Sequence, residues 1–211
     1  MVTDYLTRCY KTAGIPATYC TLNTATLDLT RPSAIAAQAH AAHWKNGTKP
    51  ERGLILGGSQ GTGKSTWMWL IARAFVKANA IANGEDKSGT LVTNIFARKF
   101  PRFIRDEFAP QPGQTQWNFQ FLGTALQADA IFLDDLTLDP SRDTFRPVSE
   151  FLFLLIDELS DNCDPPIPLY ITTNNTAEDW RRLLGAQLVD RLVGTEHGLC
   201  EIVACNWKSY R

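Results

Sequence analysis

Short apolar runs punctuate the chain at 53–56, 90–93, 130–135, 168–173 and 199–204, the pattern of strands buried on both faces. Stretches of helical period lie between and before them. An Ala-rich one begins at Pro32-Ser33, carries Ile35, Ala36, Ala39, Ala42 and Trp44, and stops at Asn46-Gly47 ahead of Pro50. The apolar run Trp67 to Phe75 predicts a second helix. Ile95 to Phe108 reads as a third, with an apolar and a basic face and a break or kink at Pro101. A further helical stretch covers about 116–127, where Trp117, Phe119 and Phe121 read as core. Helix 146–160 spaces Val148, Phe151, Leu152, Leu155, Ile156 and Leu159 at helical intervals, and Thr176 can cap a helix opening at Ala177-Glu178-Asp179. Residues 1–25 show a turn at Gly14-Ile15-Pro16 and little periodicity, and read as an N-terminal extension to one domain spanning 26–211. Strands alternating with helices predict right-handed crossovers and an α/β domain: a parallel five-stranded sheet between two helical layers.

Composition narrows the classes. Of 211 residues, 44% are hydrophobic and 20% charged, ordinary for a globular domain with a real core. The net charge of −1 excludes a globally basic nucleic-acid binder, so any such contact must come from a local patch. Five cysteines form no C-x-x-C pair, which predicts reduced thiols of a cytoplasmic chain, with Cys200 and Cys205 packed as small apolar residues. The N-terminus lacks a basic region followed by an apolar stretch, and no apolar run nears about 18 residues, so neither a signal peptide nor a membrane span is expected.

The richest chemistry lies at Gly57-Gly58-Ser59-Gln60-Gly61-Thr62-Gly63-Lys64-Ser65-Thr66, which contains the phosphate-cradling pattern G-x-x-x-x-G-K-S. Its context is strand, glycine loop, helix. Glycines let the backbone curl until several N–H groups face one phosphate, and the helix start adds a positive dipole end. Residues 58–66 are therefore the candidate nucleotide contacts. Lys64 would meet the β- and γ-phosphates of ATP, and the Ser65 hydroxyl would ligate Mg²⁺.

Two further strand ends carry polar residues. Ile131-Phe132-Leu133 runs into Asp134-Asp135, the Walker B shape. Asp134 is the candidate Mg²⁺ holder and Asp135 the candidate base that polarises the attacking water. After the next strand come Asn174 and Asn175, and spacing alone leaves a γ-phosphate contact and a helix cap equally open. Separately, residues 97–105 interleave Arg98, Lys99, Arg102 and Arg105 with Phe100 and Phe103. That is either a track for a nucleic-acid backbone with a stacking aromatic, or an amphipathic helix with solvated cations and buried phenylalanines.

Taken in order, Gly14-Ile15-Pro16, the P-loop, Ile131 to Asp135, Ile171-Thr172-Thr173-Asn174, Gln187 to Leu192 and the closing Asn206 to Arg211 resemble the bacterial replicative-helicase loaders of the DnaC and DnaI type. These are AAA+ ATPases related to the initiator DnaA and the transposition helper IstB. The resemblance runs from about residue 13 to the C-terminus. It implies a P-loop NTPase fold without a helical lid domain. Asn174 takes the place of sensor 1, Arg191 that of an arginine finger reaching a neighbour's ATP, and Arg211 that of a sensor-2-like arginine. Arg181 and Arg182 rival Arg191, and pairing of Arg191 with Asp190 or Glu196 is the plain alternative. The implied partners are a replicative DNA helicase, single-stranded DNA along residues 98–105, and further copies of the chain in an ATP-dependent oligomer; no membrane is implied. Two other readings use the same motifs: an IstB-type helper acting on duplex DNA with a transposase, and a P-loop small-molecule kinase. A nucleotide-gated adaptor without useful turnover is a third.

Overall fold

The computed structural model describes residues 2–83, 95–100, 120–163, 166–195 and 198–206. Five strands form one wholly parallel sheet: β1 (Gly53–Gly57), β2 (Ile95–Lys99), β3 (Ala130–Asp134), β4 (Leu169–Thr173) and β5 (Cys200–Ala204), in spatial order β2-β3-β4-β1-β5. The order sets β4 between the two strands that end in the glycine loop and the acidic pair.

Side chains alternate across the pleat. Leu54, Leu56, Phe132 and Tyr170 turn to one face and Ile55, Ile131, Leu133, Leu169 and Ile171 to the other, each set in its own buried cluster. The first face is covered by α1 (Val2–Thr12), α2 (Ala17–Cys20), α3 (Pro32–Lys45) and α4 (Lys64–Asn83). The second is covered by α5 (Gln120–Leu126), α6 (Phe145–Asp161), α7 (Ala177–Leu184) and α8 (Ala186–Val193). The three layers match the expected architecture. Burying a side chain such as Trp69 or Phe151, both fully enclosed, contributes on the order of 2–3 kcal/mol each.

Under the first face lies a buried polar knot. The Tyr170 hydroxyl accepts from Trp44 Nε1 at 3.2 Å and meets His40 Nδ1 at 3.3 Å, while its ring stacks on Phe132 at 4.6 Å. Burial raises the Tyr170 phenol far above its ordinary range and lowers His40, the latter opposed by the Glu201 charge.

Two expectations need correction. Residues 95–99 are a strand, not the start of a helix. Phe96 and Ala97 are both buried, one in each cluster, so the segment is covered on both faces and shows no period-2 contrast. The basic residues that mimicked a helical face begin at its carboxyl end. The expected strand at 90–93 and the rest of the expected helix, 101–108, lie outside the described residues.

The second correction concerns residues 2–12, which form a helix where little periodicity was expected. Cys9 and Tyr10 are buried and Tyr5, Leu6 and Ala13 half-buried on one side, against α4. Tyr5, Leu6, Cys9 and Tyr10 recur at helical spacing, so the amphipathic period is present in the residues themselves. The following turn is pinned: Gly14 has φ 80°, and a Cβ there would stand 3.2 Å from the Ala97 carbonyl oxygen on β2. The five cysteines are free, with Cys200 and Cys205 buried. Among the described residues no helix is long and apolar enough to cross a membrane.

Candidate phosphate-binding site

The glycine loop leaves β1 at Gly57 and enters α4 at Lys64. Gly58, Gly61 and Gly63 all have positive φ, so the loop takes turns that side chains oppose. Gly58 is also closed in from outside: a Cβ would lie 2.5 Å from the Cys205 carbonyl oxygen. Thr62 is buried and its hydroxyl donates to the Ser59 carbonyl at 2.9 Å, bracing the loop from within. Ser59 and Gln60 are exposed, and Ser65 and Thr66 half-buried in the first turn of α4.

Lys64 is only 8% exposed. Its ammonium donates to the carbonyls of Gly58 and Ser59, each at 2.6 Å, and to Asn174 Oδ1 at 3.0 Å. All three acceptors are neutral, and among the described residues Lys64 makes no ion pair. Burial lowers its affinity for the proton, and the charges of Cys205, Asp135 and Asp134 only partly oppose this. A desolvated cation at a helix N-terminus, without a counter-charge in contact, is a site that an anion completes.

Asp134 closes β3 on the same face as Phe132, pointing toward α4, and is 3% exposed. The register Leu133↔Ile171 sets it beside Thr172 on β4. The Thr172 hydroxyl donates to Asp134 Oδ1 at 2.7 Å and accepts from the Asp135 backbone N–H at 2.7 Å, using donor and acceptor at once. Trp69 Nε1, one turn and a residue into α4, donates to Asp134 Oδ2 at 3.0 Å. A buried carboxylate held only by neutral donors suits a divalent cation. Asp135 is exposed at φ 61°, a left-handed conformation that aspartate tolerates better than most residues. The backbone therefore turns away after Asp134 and leaves the second carboxylate open to solvent.

The two asparagines divide their work. Asn174 meets Lys64. Asn175 accepts from the Leu138 N–H at 2.7 Å and donates to the Leu138 carbonyl at 3.0 Å, clamping the loop after β3. Neither caps α7; Thr176 does, in a reciprocal box with Asp179. Sequence reasoning missed Thr172, Trp69 and Tyr19. Tyr19 stacks on Trp69 with ring centres 6.1 Å apart. Spacing carries no signal for these three, because strand order and helix packing bring them in.

Arg191 sits on α8, away from this network. Its guanidinium pairs with Asp157 and, at 3.5 Å, with Asp161, both on α6. Asp190, one of the two partners in the plain alternative, instead pairs with Arg181 at 3.6 Å, and Arg182 pairs with Asp179 at 3.0 Å. Glu196 and Arg211 lie outside the described residues. Of the basic patch, Arg98 is half-buried on β2 with its guanidinium 4.8 Å from the Phe96 ring centre. Phe100 is 2% exposed and packs toward Phe151, so it is a core residue and not a stacking platform for a base. The Lys99 side chain, Arg102 and Arg105 lie outside the described residues.

The fold is a three-layer α/β domain with a glycine-rich phosphate-binding loop between β1 and α4. No family model matches the chain, and none of the curated proteins does. Solved structures do. The crystal structure of DnaI superposes with a TM-score of 0.58 at 18% identity, covering 93% of this chain and 94% of that one. A primosome component from Streptococcus pyogenes serotype M3, described as putative, gives 0.57 at 16% identity over 93% and 92%. The chain shares the fold of these proteins over nearly its whole length.

Proposed function

We propose that this protein is an ATP-binding and ATP-hydrolysing AAA+ protein of DNA replication, a helicase loader whose assembly on single-stranded DNA or a replicative helicase follows its nucleotide state. The observation that carries the nucleotide reading is the Lys64 ammonium, buried among neutral oxygens and, among the described residues, without an ion pair in contact. The loader reading is supported by the fold shared end to end with DnaI and by the motif order.

In this reading the loop 58–63 and the first turn of α4 take the phosphates, and Lys64 exchanges a carbonyl partner for phosphate oxygen. Ser65 and Asp134 would hold Mg²⁺, which would supply positive charge beside the phosphates. Asp135, exposed beside them, orients and polarises the attacking water. Asn174, already on Lys64, reports the γ-phosphate to β4. Arg191 acts on the ATP of a neighbouring subunit, and for that it must leave Asp157 and Asp161. Arg98, Lys99, Arg102 and Arg105 contact the phosphate backbone of single-stranded DNA.

The test is ATP hydrolysis per subunit against protein concentration, with and without single-stranded DNA. A specific rate that climbs with concentration, and further with DNA, is expected. A rate indifferent to both would mean a self-contained site and would favour a small-molecule kinase. Stimulation by duplex but not single-stranded DNA would favour the transposition helper.

A further inference from the structure

Between α3 and α4, on the outside of the first face, lies an open groove of about 360 Å³. Ala37 and Ala41 of α3 and Trp67, Leu70 and Ala74 of α4 give it apolar walls. Its rim is basic. Lys45, in the last turn of α3, and Arg73 and Lys77, one turn apart on α4, line it, and no acidic side chain does. Among the described residues none of these three cations makes an ion pair. The Arg73 guanidinium donates to the Leu22 carbonyl at 2.9 Å and lies 5.3 Å from the Tyr10 ring centre, both neutral partners. Trp67 is 2% exposed, and its indole N–H finds no acceptor among the described residues. A buried donor is costly to leave unpaired. The groove is a surface that a partner with an apolar anchor and anionic oxygens completes.

The second face carries the complement. On α6, Phe153 is 52% exposed. Glu150 stands one turn before it and Asp157 and Asp161 one and two turns after, on a single stripe of the helix. Arg146 opens the stripe a turn earlier, so its acidic part runs from Glu150 to Asp161. An exposed aromatic flanked by carboxylates matches an apolar groove flanked by cations. We propose that the α3–α4 groove is the docking surface for a second copy of this chain, which seats Phe153 in it and lays Glu150, Asp157 and Asp161 against Lys45, Arg73 and Lys77. Groove and stripe belong to opposite faces of the sheet, so the contact is head-to-tail, and a docked pair keeps one free groove and one free stripe for further copies. In the single chain Asp157 and Asp161 hold Arg191. Docking hands them to the neighbour's cations and frees Arg191 beside a helix whose first residue is Lys64. The docking stands on groove and stripe alone, and the use of the freed Arg191 rests on the nucleotide reading above.

The experiment uses the full chain and sedimentation velocity over a range of protein concentrations, with and without ATP and Mg²⁺. Phe153→Ser spoils the stripe, and Lys45→Glu with Lys77→Glu spoils the groove. All three positions are exposed, so both variants should fold, which urea denaturation checks. Each variant alone should assemble roughly 30-fold or more weakly than the unaltered chain. Mixed one to one, they should form dimers and nothing larger, because the sound stripe of one meets the sound groove of the other and the two remaining surfaces are spoiled. An unaltered chain that stays monomeric throughout, variants that assemble as it does, or a mixture that stays monomeric would overturn the proposal. So would unchanged assembly of the lysine variant with its binding of a fluorescent single-stranded oligonucleotide lost, which would give the groove to nucleic acid. Assembly in the expected pattern by a chain that binds no fluorescent N-methylanthraniloyl ATP would keep the docking surface and remove the nucleotide reading.

Discussion

The P-loop corner and the α8 corner are built on opposite plans. At the first, Lys64, Asp134, Thr172 and Trp69 are all buried, and the two charged groups among them are held by neutral partners within the same chain. At the second, Arg191 lies 34% exposed between carboxylates that are 45% and 56% exposed. The first arrangement is costly to disturb and leaves two buried charges, one of each sign, without an ion pair in contact. The second is screened by water and can be exchanged for other partners at small cost. A site that must wait, rigid, for a ligand suits the first plan; a cation that must change partners suits the second.

The largest expected effect tests that division of labour. Arg191→Ala should reduce turnover by ~10³–10⁵ in the assembled state and leave nucleotide affinity intact. Lys64→Ala should abolish nucleotide binding itself at any protein concentration. Equilibrium binding and turnover, measured on both variants, check this. If Arg191→Ala lost affinity as well, the two corners would be one site and the contrast would dissolve.

A smaller effect compares how the corners contribute to the fold. Thr172→Val leaves the Asp135 N–H and one Asp134 oxygen unsatisfied, and should cost about 1–3 kcal/mol of stability by urea denaturation. Asp161→Asn on the exposed side should cost less than ~1 kcal/mol. Equal costs would mean that burial does not separate the two regions.

The smallest effect lies under the first face, where His40 is held neutral beside Tyr170. Its folded-state affinity for the proton is lowered, chiefly by burial, so below about pH 6.5 the unfolded chain takes up that proton first. Stability contributed by the neutral form is therefore present above about pH 6.5 and lost as pH falls from there toward the lower folded value, by up to ~1 kcal/mol near pH 5.5. His40→Gln should flatten this slope between pH 7.5 and 5.5. A slope unchanged by the substitution would assign it to other groups.

How much of this was legible in the chain depended on distance along it. The glycine loop, its flanking strand and helix, the acidic pair and the Thr176 cap are local, and local sterics and hydrogen bonding decide them. The second strand was misread because both of its faces are covered and its carboxyl end is basic, so its surroundings and not its pattern make it a strand. Phe100 was misread for the same reason.

The sequence by itself determined the type of each element over most of the chain, the parallel three-layer architecture, and the residue types that phosphate and metal require. Tertiary structure alone decided which of them meet. The strand order sets β4 between β1 and β3, and that brings Thr172 to Asp134, Asn174 to Lys64 and Asn175 to the loop beyond β3. The packing of α2 on α4 brings Tyr19 to Trp69, and that of α8 on α6 commits Arg191 to Asp157. The physical reason is the same in each case. These partners lie between 34 and 110 residues apart, and chain that far separated is brought together only by burying the two faces of the sheet.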